Sequence, residues 1–297
     1  MKFEGVITAL ITPFKSDLSI DYTALNRLIE NQIENKVDAL VIAGSTGEGH
    51  ALSHSEKIEL IGRSVDTAAG RIPIIAGTGT NYTAESVELT LAAEKAGAEA
   101  VLLVAPYYNK PTQRGLYEHY KAIADCSPIP NIIYNIPGRS GINISAATQV
   151  RLAEDCENIK ATKEASGNFE QIMQVINYAP EGFSVLSGDD ALTLPMIFMG
   201  AKGVISVLSN FYGAKLKQMV TEGLKGNVAE ARKLHYELME LMQICFIETN
   251  PIPIKAIMSL LGYCEEVYRL PLTPLSEDNR ELLISAMVDN EIIEYND

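Results

Sequence analysis

The chain has 297 residues, of which 47% are apolar, and this is enough to bury a large core. Charged residues make up 21% and the mean hydropathy is +0.06, so neither disorder nor a fibrous repeat is expected. The formal net charge of −14 argues against a nucleic-acid partner or an anionic membrane surface, because both are bound by positive charge.

The sequence also lacks the common signals for membranes, export and metals. No window holds the roughly 18 uninterrupted apolar residues of a spanning helix, and the N-terminus has no signal-peptide pattern. We therefore expect a cytoplasmic protein. The four cysteines and four histidines show no spacing typical of ligands, so we predict neither a metal site nor a disulfide.

Eight short apolar runs recur along the chain, each followed by a segment with helical periodicity. Such runs are typical of strands buried on both faces of a parallel sheet. Eight strand–helix units in about 225 residues favour a (β/α)8 TIM barrel. A doubly wound sheet would instead need a G-x-G-x-x-G loop after its first strand. The runs begin at Gly5, Val37, Ile72, Glu99, Asn131, Ile159, Ser184 and Gly203.

After residue 225 the strand signal stops. Helical patterns over 229–246, 251–261 and 276–290 predict a helical appendage. We accordingly place an α/β barrel domain at residues 1–225 and a C-terminal helical domain at 226–297, and we expect the two to pack as one unit. Asn250 is predicted to cap the second of these helices, and Ser276 to begin the third.

Lys163 lies near the end of the sixth strand, and in a TIM barrel the active site is built at that end. Strand alternation puts Ile159, Ala161 and Lys163 on one face. Burial lowers the pKa of a lysine and supplies the neutral amine that attacks a carbonyl. The alternative is that Lys163 only neutralises Glu164 or another carboxylate, and its position alone leaves both open.

Two further strand ends carry polar side chains. The fifth strand ends in Tyr134, whose phenol could relay protons, and Arg139 follows with a guanidinium suited to a carboxylate. The second strand runs into G-S-T-G-E-G at 44–49, where backbone N–H groups and the hydroxyls of Ser45 and Thr46 could converge on a small anion. As alternatives, Tyr134 only fills the end of the barrel with an amphipathic side chain, and the glycine-rich segment is only a turn.

Taken with further motifs, these segments resemble the pyruvate-dependent class I aldolase family, which includes N-acetylneuraminate lyase. The resemblance runs from near residue 3 to past residue 255. It implies a TIM-barrel lyase that forms a Schiff base with pyruvate and uses no metal or organic cofactor. The further motifs are K-E-A-S-G at 163–167, S-G-D-D-A at 187–191, G-V-I-S-V at 203–207 and N-P-I-P-I-K at 250–255.

The resemblance implies four catalytic residues. Lys163 matches the Schiff-base lysine, and Tyr134 matches the tyrosine that donates and accepts protons. Ser45 and Tyr108 match the other two hydroxyls of a proton relay, with Tyr108 reaching in from a neighbouring subunit. The same resemblance implies a homotetramer built from two tight dimers. In the branch of the family that acts in diaminopimelate and lysine biosynthesis, threonine usually stands at the position of Ser45, whereas sialic acid lyases often have serine there. Either residue provides the hydroxyl.

It also implies how substrates are held. Thr46 and the backbone of Ile205 match contacts to pyruvate, and Arg139 matches the arginine that binds the carboxylate of L-aspartate 4-semialdehyde. Arg139 favours the branch that condenses the two compounds in diaminopimelate and lysine biosynthesis, because the sister aldolases do not as a rule have an arginine at this position. The alternatives are a sister aldolase, such as N-acetylneuraminate lyase or a 2-keto-3-deoxy-sugar-acid aldolase, and a non-catalytic barrel.

A feedback site is a weaker hypothesis from the same resemblance. Lysine-sensitive relatives have an effector cleft at the subunit contact. Gly49 and Lys57 stand where sensitive bacterial relatives tend to have serine and histidine, and the cation of Lys57 would oppose lysine. An effector cleft and ordinary surface residues therefore both remain open. The matching residues are His54, Asn81, Glu85 and Tyr107.

Overall fold

The computed structural model describes residues 2–294, in which eight parallel strands close a barrel in chain order. Each strand pairs with the next, and β8 pairs with β1. The predicted TIM barrel is confirmed, with a strand at each of the eight apolar runs. The strands are β1 (Gly5–Ala9), β2 (Ala39–Ile42), β3 (Ile74–Gly77), β4 (Ala100–Val104), β5 (Asn131–Asn135), β6 (Ile159–Glu164), β7 (Ser184–Ser187) and β8 (Gly203–Ser206).

Helices follow the strands and then continue alone toward the C-terminus. The helices predicted from periodicity are present, with ends that differ by at most two residues. Within residues 2–294, no helix is long and apolar enough to cross a membrane. The helices are α1 (Tyr22–Glu34), α2 (His54–Ala68), α3 (Thr83–Lys95), α4 (Gln113–Cys126), α5 (Pro137–Ser140), α6 (Ala146–Asp155), α7 (Phe169–Tyr178), α8 (Thr193–Met199), α9 (Ser209–Leu224), α10 (Val228–Ile244), α11 (Ile252–Leu260) and α12 (Glu277–Asp289).

The hydrophobic core has two main layers. An inner cluster fills the barrel and includes Ile7, Val41 and Leu102. A larger cluster lies between the strands and the surrounding helices, and it continues into the C-terminal helices through Leu238 and Ile257. Side chains on both sides of residue 225 therefore share one core, and the domain boundary at that residue stays a prediction.

Strand β6 departs from the predicted alternation at its start. Asn131 pairs with Ile159, but the next residue of β5 pairs with Ala161, so the register shifts by one residue at Lys160. A one-residue shift moves a side chain to the opposite face. Ile159 accordingly packs in the outer cluster and Ala161 in the inner one. The prediction that Ile159 shares a face with Ala161 and Lys163 is wrong.

The predicted cap at Asn250 is also wrong. Helix α11 begins at Ile252, and no side chain of residues 2–294 caps it. The Asn250 side-chain amide instead donates a hydrogen bond to Thr46 Oγ1 at 3.0 Å. Ser276 precedes α12 as predicted, but its hydroxyl donates to Glu248 instead of capping the helix.

Candidate active site

Lys163 and Tyr134 are direct partners on neighbouring strands at the carboxyl end of the barrel. They pair in the β5–β6 ladder, and the Lys163 Nζ lies 4.4 Å from the centroid of the Tyr134 ring. Each residue is only 5% exposed. The barrel therefore holds an amine against an aromatic face at the place where this fold builds its active sites.

The surroundings of Lys163 favour its neutral form. Burial lowers its pKa to about 8, the negative charge of Asp190 opposes this change, and the positive charge of Arg139 adds to it. Compared with an ordinary lysine, the neutral fraction at pH 7 is larger by about 300-fold. Burial also raises the pKa of Tyr134, so its phenol stays protonated and able to donate.

Glu164 does not neutralise Lys163. Its carboxylate oxygens accept hydrogen bonds from the side-chain amides of Asn135 and Gln149 and from the backbone N–H of Ser166, at 2.8–3.2 Å. Among residues 2–294, Lys163 makes no ion pair. The alternative role of Lys163 as a counter-ion for Glu164 is therefore wrong.

Asp190 is a site residue to which the sequence analysis gave no role. It is 2% exposed, and its Oδ2 accepts hydrogen bonds from the backbone N–H groups of Val207 and Leu208, each at 3.0 Å. Burial raises the pKa of Asp190. The carboxyl ties the loop after β7 to the end of β8, which carries Ile205. In the sequence, only the S-G-D-D-A motif at 187–191 pointed to Asp190.

The turn after β2 brings Ser45 and Thr46 to the same end of the barrel. It is tightly wound, because a Cβ on Gly49 would lie 2.0 Å from the carbonyl oxygen of Ala43. Ser45 and Tyr134 line one small space. Thr46 is 3% exposed. Ser45 therefore lies beside Tyr134, and Thr46 is buried next to Ser45 in the same turn.

A second cavity of about 370 Å³ opens beside this space. The Arg139 guanidinium lies at this cavity and donates a hydrogen bond at 2.9 Å to the backbone carbonyl of Asn250. A small substrate with a carboxylate would find a cation there. The cavity is lined by Ser45, His50, Tyr107, Ile136, Arg139 and Thr249, among others.

The remaining two predicted residues occupy different surroundings. Ile205 is 1% exposed and packs in the inner cluster with Tyr134, so the end of β8 lies beside the site. Tyr108 is 88% exposed, has a left-handed φ of 72°, and lines neither cavity. Within this one chain, Tyr108 is the predicted relay member that the fold does not bring to the site.

Three of the four predicted effector residues lie together. Burial and then the charge of Glu85 raise the pKa of Tyr107, while a hydrogen bond from the backbone of Asn81 opposes this rise. Lys57 belongs to the same group, because burial lowers its pKa and Glu85 opposes that change. His54 is exposed at the start of α2, and within residues 2–294 no side-chain hydrogen bond or ion pair links it to the other three.

An amine that is partly neutral at pH 7, held beside a protonated phenol, is suited to forming a Schiff base with a keto acid. The fold and the site together define a lyase of the class I aldolase type. The model of the dihydrodipicolinate synthetase family matches residues 2–289. The chain belongs to this family, which confirms the predicted resemblance.

Individual relatives are similar to this chain over nearly its whole length. The chain is 50% identical over 281 residues to the 4-hydroxy-tetrahydrodipicolinate synthase of Aquifex aeolicus, with 95% of each chain covered. It superimposes with a TM-score of 0.96 on the chloride-inhibited dihydrodipicolinate synthase of Acinetobacter baumannii complexed with pyruvate, at 42% identity, covering 98% of this chain and 100% of that one. The Cyanidioschyzon merolae enzyme, solved with lysine bound, gives the same TM-score at 43% identity, with 98% and 99% covered.

Proposed function

We propose that the chain condenses pyruvate with L-aspartate 4-semialdehyde through a Schiff base on Lys163, in diaminopimelate and lysine biosynthesis. The observation that carries the proposal is the buried Lys163 amine, whose pKa falls to about 8, in contact with the Tyr134 ring. The names of the relatives support the same reaction.

The chemistry follows from the placement of these two groups. The neutral Lys163 amine attacks the keto carbon of pyruvate, and water leaves after Tyr134 protonates the departing hydroxyl. The resulting imine withdraws electrons, so the pyruvate methyl group loses a proton and the imine becomes an enamine. The enamine carbon bonds to the aldehyde carbon, the aldehyde oxygen takes up a proton to become a hydroxyl, and the imine to Lys163 forms again. The amino group of the semialdehyde then attacks the imine carbon, closes the ring and releases Lys163.

The other predicted residues have supporting roles in this scheme. Ser45 and Tyr108 pass protons between Tyr134 and solvent, Thr46 and the backbone of Ile205 hold pyruvate, and Arg139 holds the semialdehyde carboxylate. Tyr108 comes from a neighbouring chain, whereas the other residues belong to one chain. The enzyme acts as a cytoplasmic homotetramer. The scheme needs no metal or organic cofactor, because the imine itself is the electron acceptor.

Borohydride trapping tests the central step. Reduction in the presence of pyruvate should leave a reduced pyruvate adduct on the peptide that contains residue 163, and the Lys163→Ala variant should show none. An unmodified peptide from the unaltered chain would overturn the proposal. Offering N-acetylmannosamine as the second substrate separates the sister aldolases, since faster turnover of the sugar would contradict the semialdehyde assignment.

The assembly has its own test. Tyr108 completes the relay only if a second chain covers its exposed side chain. Sedimentation should therefore show a tetramer, and Tyr108→Phe should lower kcat while the tetramer persists. A monomer with full activity, or a Tyr108→Phe variant with unchanged kcat, would contradict this part of the proposal.

We further propose that the group around Glu85 and Tyr107 is an effector cleft that responds weakly to lysine. The relative solved with lysine bound supports lysine as the effector. Lys57 is only 8% exposed and its charge acts on Glu85, so an ammonium already neighbours the carboxylate that a lysine effector would use. Flat activity in this chain and in a Lys57→His variant across a millimolar lysine titration would remove the effector cleft.

A further inference from the structure

A buried ion pair joins the C-terminal helices to the turn that carries Ser45 and Thr46. Glu48 lies at the end of that turn, and Lys255 lies in α11. Their carboxylate and ammonium are in direct contact, with side chains only 1% and 0% exposed. The pair crosses residue 225, the predicted boundary between the barrel and the appendage.

The charges of this pair are well satisfied although they are removed from water. Lys255 Nζ also donates to the carbonyl oxygen of Val267 at 2.8 Å and lies 4.2 Å from the centroid of the Phe14 ring. The other oxygen of Glu48 accepts from the backbone N–H of Arg269 at 3.2 Å. A buried pair is weak support for stability, because apolar residues can often replace both partners. Positioning of the turn therefore explains this buried ion pair better than stability does.

The geometry of the turn shows what Glu48 can control. Glu48 has a left-handed φ of 50°, and its backbone N–H donates to the carbonyl of Ser45 at 3.1 Å. Thr46 lies two residues before it. Moving the Glu48 side chain would therefore move a short, tightly wound segment that includes both hydroxyl-bearing residues.

A second contact from the same segment reaches the same turn. The Asn250 amide donates to Thr46 Oγ1, and the Asn250 carbonyl accepts from Arg139. Asn250 lies five residues before Lys255 in the chain. Both ends of the 250–255 stretch thus contact the 44–49 turn, and the stretch also contacts Arg139.

We propose that Glu48 and Lys255 are a positioning pair for the Schiff-base reaction. The pair holds the 44–49 turn against α11 and so sets the Ser45 and Thr46 hydroxyls relative to Tyr134 and Lys163. Neither residue takes part in bond making. This inference rests on the proposed function, and it makes the C-terminal helices part of the active-site framework.

Two variants test the pair. Glu48→Gln with Lys255→Met removes both charges together, which avoids leaving one of them buried and alone. Glu48→Asp keeps both charges but shortens the side chain by one methylene, so it decides the question even if the double variant does not fold. Lys217→Met is the matched control, because it breaks the partly exposed ion pair with Asp38 near the amino ends of the strands.

In each folded variant we expect kcat to fall by about ten- to a hundredfold and the KM for pyruvate to rise. Borohydride should still trap pyruvate on residue 163, and Lys217→Met should match the unaltered chain. A folded variant that loses thermal stability but keeps kcat and both KM values would overturn the proposal. If the unaltered chain itself traps no pyruvate, the proposed function fails instead.

Discussion

Replacing Lys163 by methionine should abolish activity and make the protein more stable. Methionine has a similar length and no charge, so it fills the same space in the buried site. Lys163 is 5% exposed and makes no ion pair within residues 2–294. Within residues 2–294, the native side chain is therefore a charged group that folding removes from water with the Tyr134 ring beside it but with no carboxylate paired to it.

The magnitude follows from the pKa of Lys163, which falls from 10.5 to about 8 on burial. Because the folded-state pKa is lowered, the charged form is penalised in the folded protein. The penalty is complete below pH 8 and disappears as the pH rises through 10.5. At about 1.4 kcal/mol per unit, it amounts to about 3 kcal/mol at pH 7 and about 1 kcal/mol at pH 10.

Lys255→Met is the matched control, because the same substitution should act in the opposite direction. Lys255 is fully buried and paired with Glu48. Removing it leaves the Glu48 carboxylate buried and alone, which should lower the free energy of unfolding by about 3–5 kcal/mol. Comparing the stabilities of the two methionine variants thus distinguishes a buried lysine without an ion pair, Lys163, from one that has an ion pair, Lys255.

Urea unfolding at pH 7 and pH 10, at one fixed protein concentration, measures both effects. Lys163→Met should unfold at higher urea than the unaltered chain at pH 7, and the gain should shrink at pH 10. No gain at pH 7, or an equal gain at both pH values, would refute the reasoning, because the effect would then not come from the charge of Lys163.

Three further predictions concern the reaction and its control. The rate of imine formation with pyruvate should rise about tenfold per pH unit below pH 8 and level off above it, because only the neutral Lys163 amine attacks; a rate independent of pH in stopped-flow trapping would contradict this. Arg139→Ala should raise the KM for the semialdehyde by about ten- to a hundredfold, through loss of a charge-assisted hydrogen bond, while pyruvate is still trapped on residue 163; an unchanged KM would remove the role of Arg139. Lys57→His should increase inhibition by lysine, because it exchanges a buried ammonium near Glu85 for a group that is largely neutral at pH 7. If the inhibition curve of this variant coincides with that of the unaltered chain, the proposal of a weak response to lysine is contradicted.

The sequence by itself determined the barrel. Eight apolar runs, each followed by a helical pattern, are enough to predict eight parallel strands buried on both faces. In the closed barrel, side chains of the inner cluster bury one face and the surrounding helices bury the other. The sequence also determined the family, since the motifs around Lys163, Tyr134 and Ser45 lie at strand ends where a TIM barrel concentrates its chemistry. The individual roles of these residues stay predictions until the trapping and kinetic experiments are done.

Only the tertiary structure decided which distant residues meet. Asn250 was predicted as a helix cap, but its amide contacts Thr46, which is 204 residues away in the chain. Glu48 and Lys255 are 207 residues apart and form a pair that neither local motif indicates. The register shift at Lys160 likewise depends on the pairing of β5 with β6. Periodicity and local motifs report which face of an element is buried, whereas long-range contacts depend on how the closed barrel and the C-terminal helices pack together.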